Sequence, residues 1–368
     1  MIRLGFVGAG RIAKRHFANL ANMPDVSIAG ICDPDPEARR SASDRTGAKA
    51  YEDLSKMLSE QDLDGAYVCI PAGAHGSVEE RLAEEGVHLF VEKPISLDMG
   101  TAERVARAVD RAGVISSVGF HWRYSEGAQI ARRDLDGGRI AMVLGFWMTG
   151  LPQQPWWRRR SENPAQIFEQ TIHLFDLSRY LVGEVSELQS LFAMRCMEGV
   201  SELEDVSSVT LRFENGAIGS MASTYLTPYR HRPPLLHEWA ARGNPLFRKL
   251  AIGTERLGLW RRSFDTFSFR IELMIVSEKM VHQIGQGSLV RTTGKARETF
   301  RAKVDPYLLE SQAFVSAIGS GDGSVIRSPY HDALLTHHLI LAAIESADAG
   351  QPVRFEREEP GEDPSGDA

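Results

Sequence analysis

The chain is poor in cysteine, in long apolar runs and in excess positive charge, and each shortage removes a class of protein. Its three cysteines, Cys32, Cys69 and Cys196, fall at no CxxC or finger spacing, which gives no support to a disulfide framework or a zinc module. Cys32 and Cys69 lie in apolar runs that read as core strands, so buried thiols in a reducing compartment are expected. No stretch reaches the ~18 apolar residues of a membrane span. Met1 leads directly into Ile2-Arg3-Leu4-Gly5-Phe6-Val7, with no charged leader or cleavage site, so a cytoplasmic location without membrane association is expected. Lys and Arg number 42 against 49 Asp and Glu, a net charge of −7, which argues against nucleic acid as a partner. HExxH and other spaced ligand sets are missing, and His337-His338, being adjacent, point to different helix faces; no catalytic metal is expected.

What is present is a rhythm. A length of 368 residues favours two domains. Apolar runs at 3–7, 26–32, 65–70, 87–91 and 114–118 alternate with amphipathic stretches at 12–21, 77–85 and 99–112. Such alternation implies βαβ units and a doubly wound parallel sheet over residues 1–120. After Phe120 the pattern changes. Helices are predicted at 125–135, 166–181, 306–318 and 330–349, and strands at 140–148, 188–195, 206–213, 217–225, 267–276, 279–284 and 353–355, with Asn215-Gly216 as a tight hairpin turn. Residues 121–356 thus read as an α+β domain with a large, open, mainly antiparallel sheet, and 357–368 as a disordered acidic tail. Residues 228–262 form a long insertion that could be a lid, an oligomer contact or an ordinary loop.

Gly8-x-Gly10-x-x-Ala13 follows the first predicted strand and opens a helix at Arg11 and Ile12. Gly8 permits a tight turn, Gly10 admits a pyrophosphate against the backbone, and Ala13 allows close helix–sheet packing, the fingerprint of a Rossmann dinucleotide site. Asp33, 23 residues past Gly10 at the end of the second strand, suits the ribose hydroxyls and repels a 2′-phosphate, so NAD is expected over NADP. Asp33 could instead only cap the next helix, and Arg39 and Arg40 leave room for NADP.

Glu92-Lys93-Pro94 follows the strand at 87–91, at the carboxyl edge where such sheets bind ligands. A lysine there could stabilise charge developing on a reacting oxygen. From position alone, a surface lysine before a strand-ending proline is the simpler reading.

The chain resembles the Gfo/Idh/MocA family, the glucose–fructose oxidoreductase and inositol dehydrogenase group. The resemblance runs from about residue 2 to 355 and is carried by the glycine fingerprint, by Pro71-Ala72-Gly73-Ala74-His75, by Glu92-Lys93-Pro94, by Gly119-Phe120-His121-Trp122-Arg123-Tyr124, and by Ser328-Pro329-Tyr330-His331-Asp332-Ala333. Ile70 stands where the family usually has Thr or Ser, and Pro164-Ala165-Gln166 where it has three glycines. The resemblance implies that Gly8, Gly10, Arg11, Ile12, Asp33, Pro71, His75, Glu92 and Lys93 bind the cofactor. It also implies that Glu169, His173 and Asp176, at i, i+4 and i+7 on one helical face, meet the substrate.

The chemistry expected is a reversible hydride transfer between NAD(H) and a carbinol carbon of a sugar, inositol or related polyol. His173 would be the base, Lys93 would polarise the substrate oxygen, and Glu169 would orient Lys93 or the substrate. Asp176 could hold the His173 tautomer or be a structural contact. Arg123, Trp157 and Arg158 are expected to bind substrate, with the other arginines of 158–160 solvated. A hydrolase or epimerase that retains NAD, or a non-enzymatic NAD(H) sensor, are the alternatives. The resemblance implies a homodimer or homotetramer, in which the open sheet face of the second domain is covered.

Overall fold

The computed structural model describes residues 1–152, 155–193, 202–226 and 270–355. The predicted insertion at 228–262, the tail at 357–368 and Cys196 lie outside the described residues.

The first sheet has six parallel strands in the order β3-β2-β1-β4-β5-β6. They are β1 (Ile2–Val7), β2 (Val26–Cys32), β3 (Lys49–Tyr51), β4 (Gly65–Val68), β5 (His88–Val91) and β6 (Ser116–Val118). The helices between them are α1 (Arg11–Leu20), α2 (Pro36–Thr46), α3 (Leu54–Glu60), α4 (Ser77–Glu84) and α5 (Met99–Ala112). Helices cover both faces, so β4 and β5 are continuous apolar runs whose Ala66, Tyr67, Val68, Leu89, Phe90 and Val91 are all fully buried. Asp35, Asp53 and Asp98 cap α2, α3 and α5 through their carboxylates, which fixes where each helix starts. The strand order reverses between β1 and β4, and the crevice at their carboxyl ends receives the turns carrying Gly8 and Lys93.

The chain continues through α6 (Glu126–Leu135) into a second sheet ordered β14-β13-β12-β11-β7-β10-β9-β8-β15. Its strands are β7 (Ile140–Met148), β8 (Val185–Ala193), β9 (Val206–Phe213), β10 (Ile218–Thr224), β11 (Arg270–Ser277), β12 (Met280–Gly285), β13 (Ser288–Thr293), β14 (Arg297–Arg301) and β15 (Val353–Arg354). All neighbours are antiparallel except β7 and β10, which run parallel at its centre. In β9 buried and exposed residues alternate strictly, as expected of a sheet covered on one face. α7 (Ile172–Val182) and α9 (Tyr330–Ala349) supply that cover.

β3 and α3 were not expected, being three and seven residues long with little apolar signal. β13 and β14 were missed because Ser288–Thr293 and Arg297–Arg301 are largely polar and extend the sheet at its edge. The helix expected at 166–181 opens instead as a π-helical turn, Ile167–Thr171, before α7 begins. The linear boundary at 120 does not divide the core: Phe314 and Ala317 of α8 (Pro306–Ser320) and Ile326 pack with Leu4, Phe6 and Phe90 of the first domain. No helix among the described residues is long and apolar enough to cross a membrane.

Candidate active site

The glycine turn links β1 directly to α1. Gly8 has φ +93°, and a Cβ there would stand 2.3 Å from the Cys69 carbonyl oxygen, so both backbone and space demand glycine. Gly10 is different. Its φ is −69° and ψ −166°, and a Cβ built on it meets nothing within 4 Å. The glycine therefore leaves space ahead of an α1 N-terminus that has no side-chain cap, the arrangement that receives a phosphate on free N–H groups. Arg11 is exposed beside it, Ile12 half-buried and Ala13 wholly buried against the sheet.

Asp33 ends β2 and accepts hydrogen bonds from the Ala9 N–H at 2.7 Å and the Asp35 N–H at 2.8 Å. It ties the glycine turn to the second strand, while the cap of α2 is Asp35, accepting from the Glu37 N–H at 2.9 Å. The Arg39 guanidinium donates to the carbonyls of Asp33 (3.1 Å) and Pro34 (2.8 Å) and pairs with Glu52 at 3.4 Å, so it buttresses this turn. Past β4, Pro71 is exposed and His75 is buried just ahead of α4, paired through Nδ1 with Glu79. Glu79 also accepts from the Gly76 N–H at 2.7 Å.

Lys93 leaves the end of β5 and reaches the second domain. Its Nζ donates to the Glu169 carbonyl oxygen at 2.8 Å and pairs with Glu169 Oε2 at 3.0 Å. Burial pushes the Glu169 carboxyl up, and the Lys93 ammonium pulls it back. Glu92 was expected on the cofactor. It accepts instead from His16 Nε2 of α1 at 2.8 Å in a buried pair, and Gly119 makes room for it, since a Cβ there would lie 2.7 Å from Glu92 Oε2. The Glu92 side chain therefore locks α1 to the strand that presents Lys93.

His173 lies one turn past Glu169, walled by the rings of His121 (4.7 Å between centroids), Trp147 (6.0 Å) and Phe120 (6.1 Å). Burial foremost, then the charges of His121 and Lys93, hold its pKa well below the ordinary imidazole value, leaving a neutral ring at physiological pH. Its Nδ1 is buried without a hydrogen-bond partner among the described residues.

One side of the helical segment 169–176 thus meets Lys93, His121 and Arg123 in succession. The last meeting corrects two expectations. Arg123 donates to both Asp176 oxygens at 2.8 and 2.6 Å and to the Arg327 carbonyl at 2.6 Å, and also pairs with Asp332. Arg123 and Asp176 are essentially inaccessible, and Thr336 donates to Asp176 at 3.1 Å. Two fully committed, buried groups are poor substrate ligands, and Asp176 does not hold His173. They brace the site from behind.

In the 155–158 turn Trp157 is buried and its carbonyl accepts from Asn163 Nδ2 at 3.1 Å. Trp157 Nε1 and Arg158 Nε are buried without partners among the described residues. The other two arginines are not merely solvated. Arg159 pairs with Glu162 at 2.6 Å, and Arg160 with Glu204 at 2.7 Å and Asp348 at 3.2 Å. His337 Nε2 contacts Ser96 Oγ at 3.0 Å and His338 packs on Phe355, so the adjacent pair diverges as expected.

Sequence reading missed His16, His121, Trp147 and Tyr307. The signal for His121 was a histidine in the turn after the last parallel strand; for the others no local pattern sets them apart from core residues.

Comparison with known proteins agrees with this geometry. The family model described as "Oxidoreductase family, NAD-binding Rossmann fold" matches residues 2–120, and that described as "GFO/IDH/MocA C-terminal domain" matches residues 133–240. An uncharacterized oxidoreductase, YrbE of Bacillus subtilis, is 29% identical over 219 residues, 58% of this chain and 64% of the relative; the match thus spans just under two thirds of that protein. The scyllo-inositol 2-dehydrogenase (NAD(+)) of Bacillus subtilis is 24% identical over 372 residues, 96% of each chain. A levoglucosan dehydrogenase solved with NADH and levoglucosan superposes with a TM-score of 0.78 at 18% identity, over 97% of this chain and 100% of the other, a likeness of fold. The glycine turn, the Lys93 turn and the two matched domains together place this chain in the Gfo/Idh/MocA family of NAD-binding oxidoreductases.

Proposed function

We propose that the protein is an NAD(H)-dependent dehydrogenase acting on a carbinol carbon of a sugar, inositol or related polyol. The observation that carries this reading is the Lys93 ammonium, held at 3.0 Å by Glu169 across the domain junction, close to the neutral imidazole of His173. NAD, when bound, supplies the hydride acceptor. Gly8, Gly10, Arg11 and Ile12 receive its phosphates, Asp33 the ribose, and Pro71 and His75 flank it. Lys93 donates a hydrogen bond to the substrate oxygen and stabilises the charge that grows there as the proton leaves. His173 takes that proton, a task suited to an imidazole kept neutral by its surroundings. Glu169 positions Lys93. Trp157 and Arg158 contact the substrate's other hydroxyls. We further propose that the enzyme works in the cytoplasm as a homodimer or homotetramer.

The test is absorbance at the reduced-nicotinamide band with NAD and a panel of myo-inositol, scyllo-inositol, levoglucosan and D-apiose. Accumulation of NADH in step with ketone or lactone product is expected. Conversion without net NADH would replace this reading by an NAD-retaining hydrolase or epimerase, and tight NAD binding with no conversion across a broad polyol panel by a sensor. Light scattering measures the assembly, and a monomer would refute that part.

A further inference from the structure

We propose that His121 is a proton-relay residue that carries the substrate proton from His173 to water in a cavity lined by Arg15, Tyr307 and Asp305. The proposal rests on His173 being the base.

Each oxidation of an alcohol by NAD releases one proton, and a base buried between substrate and cofactor must discharge it before the next turn. His173 is 6% exposed, and no described residue accepts a hydrogen bond at its Nδ1. The neighbour able to take a proton is His121, whose ring stands edge-on to that of His173 with centroids 4.7 Å apart and planes at 72°. His121 Nδ1 is likewise buried and unpartnered among the described residues. The other surroundings of His121 lead outward. Its ring stacks on Tyr307 at 3.8 Å, the Arg15 guanidinium lies 3.9 Å from the Tyr307 ring centre, and Arg15 pairs with Asp305 at 2.9 Å. These residues and Ser125 line a cavity of about 290 Å³ that His121 borders directly. One imidazole thus joins the wall of the base to the wall of a space large enough to hold several waters.

The charges around His121 suit a carrier. Burial foremost, then Lys93, Arg15 and His16, hold its pKa well below the ordinary value, so an arriving proton is not retained. His173 accepts the hydroxyl proton as the carbinol carbon gives up its hydride to NAD. No direct hydrogen bond joins the two rings, so the imidazolium then gives its proton through one bridging water to His121, which releases one to cavity water. Both rings end neutral, and one proton has left per NADH formed. The aromatic packing of His121 alone would not require a nitrogen at this position, which is what the experiment separates.

His121→Phe preserves the ring contacts and removes the nitrogens. Stopped-flow absorbance follows NADH while a pH-indicator dye follows proton release, in weak buffer, with a polyol that the enzyme turns over. In the wild type the two traces are expected to coincide; in His121→Phe proton release should lag and kcat fall by about 100-fold, the lower end for a lost proton-transfer group. His121→Ala leaves a space in which added imidazole should restore turnover in a saturable way. Coincident traces in His121→Phe with turnover indifferent to imidazole in His121→Ala would overturn the relay. If His121→Phe does not fold, His121→Gln takes its place: a lag between the same two traces supports the relay, and coincident traces overturn it. Full activity of His173→Ala would instead remove the base beneath the proposal, an outcome distinct from failure of the relay.

Discussion

The two sheets build their parts of the site in opposite ways. In the parallel sheet the functional groups sit on short turns or at the first residues of a helix: Gly8 and Gly10 between β1 and α1, Arg11 and Ile12 opening α1, Asp33 just after β2, Lys93 just after β5. Their geometry follows from strand ends and helix starts that the local sequence already sets. In the second domain Glu169, His173 and Asp176 lie on one buried helical segment, and each is oriented by a partner far along the chain. Glu169 is held by Lys93, His173 is walled by His121 and Trp147, and Asp176 is held by Arg123 and Thr336. A turn tolerates errors elsewhere in the protein; a constellation of buried charges does not, because each unpaired member pays its full desolvation cost.

That contrast can be broken most severely at the junction. Lys93→Ala and His173→Ala should each lower kcat by about 10³-fold or more, while NAD affinity, set by the glycine turn, stays near wild type. Steady-state kinetics beside NADH fluorescence titration measure both; a variant that keeps full activity shows that its residue is not catalytic. Next in size is the brace. Arg123→Met leaves the Asp176 carboxylate buried without its main partner and should cost about 3–5 kcal/mol of stability in denaturant unfolding. A loss below about 1 kcal/mol would mean that the Thr336 hydroxyl and the nearby charge of Arg179, itself bonded to Thr336 at 2.6 Å, suffice for Asp176. The smallest effect belongs to the local side. Asp33→Ala should weaken NAD by about tenfold and narrow the preference over NADP, read as kcat/KM for each cofactor, and should cost about 1–3 kcal/mol of stability because the buried Ala9 N–H loses its acceptor. A wild-type preference for NADP would remove the role given to Asp33.

Legibility followed the same division. β2, α5, β7, β9 and α9 fall at the bounds the sequence predicted, because each has a clear period, a cap or a turn signal at its ends. Glu169 was expected to orient Lys93 or the substrate, and the structure pairs it with Lys93. Arg123 and Asp176 were misjudged as substrate ligands, since a charged residue at a helical spacing looks the same whether it faces a pocket or another charge. Glu92 was misjudged for a similar reason: its partner His16 is 76 residues away, and nothing local marks the pair.

The sequence by itself determined the doubly wound first domain, the glycine turn and its Asp33, because period, turn residues and short-range spacing act through neighbours in the chain. The second domain's open sheet was legible from its alternation, but the pairing of β7 with β10 in parallel and the polar edge strands were not. Only the tertiary structure decided which of the buried charges meet one another, where α8 packs, and that His121 stands between His173 and a cavity lined by Arg15, Asp305 and Tyr307. Those facts depend on contacts across dozens to hundreds of residues. In a sequence, residue type records the capacity for such a contact, and folding alone supplies the partner.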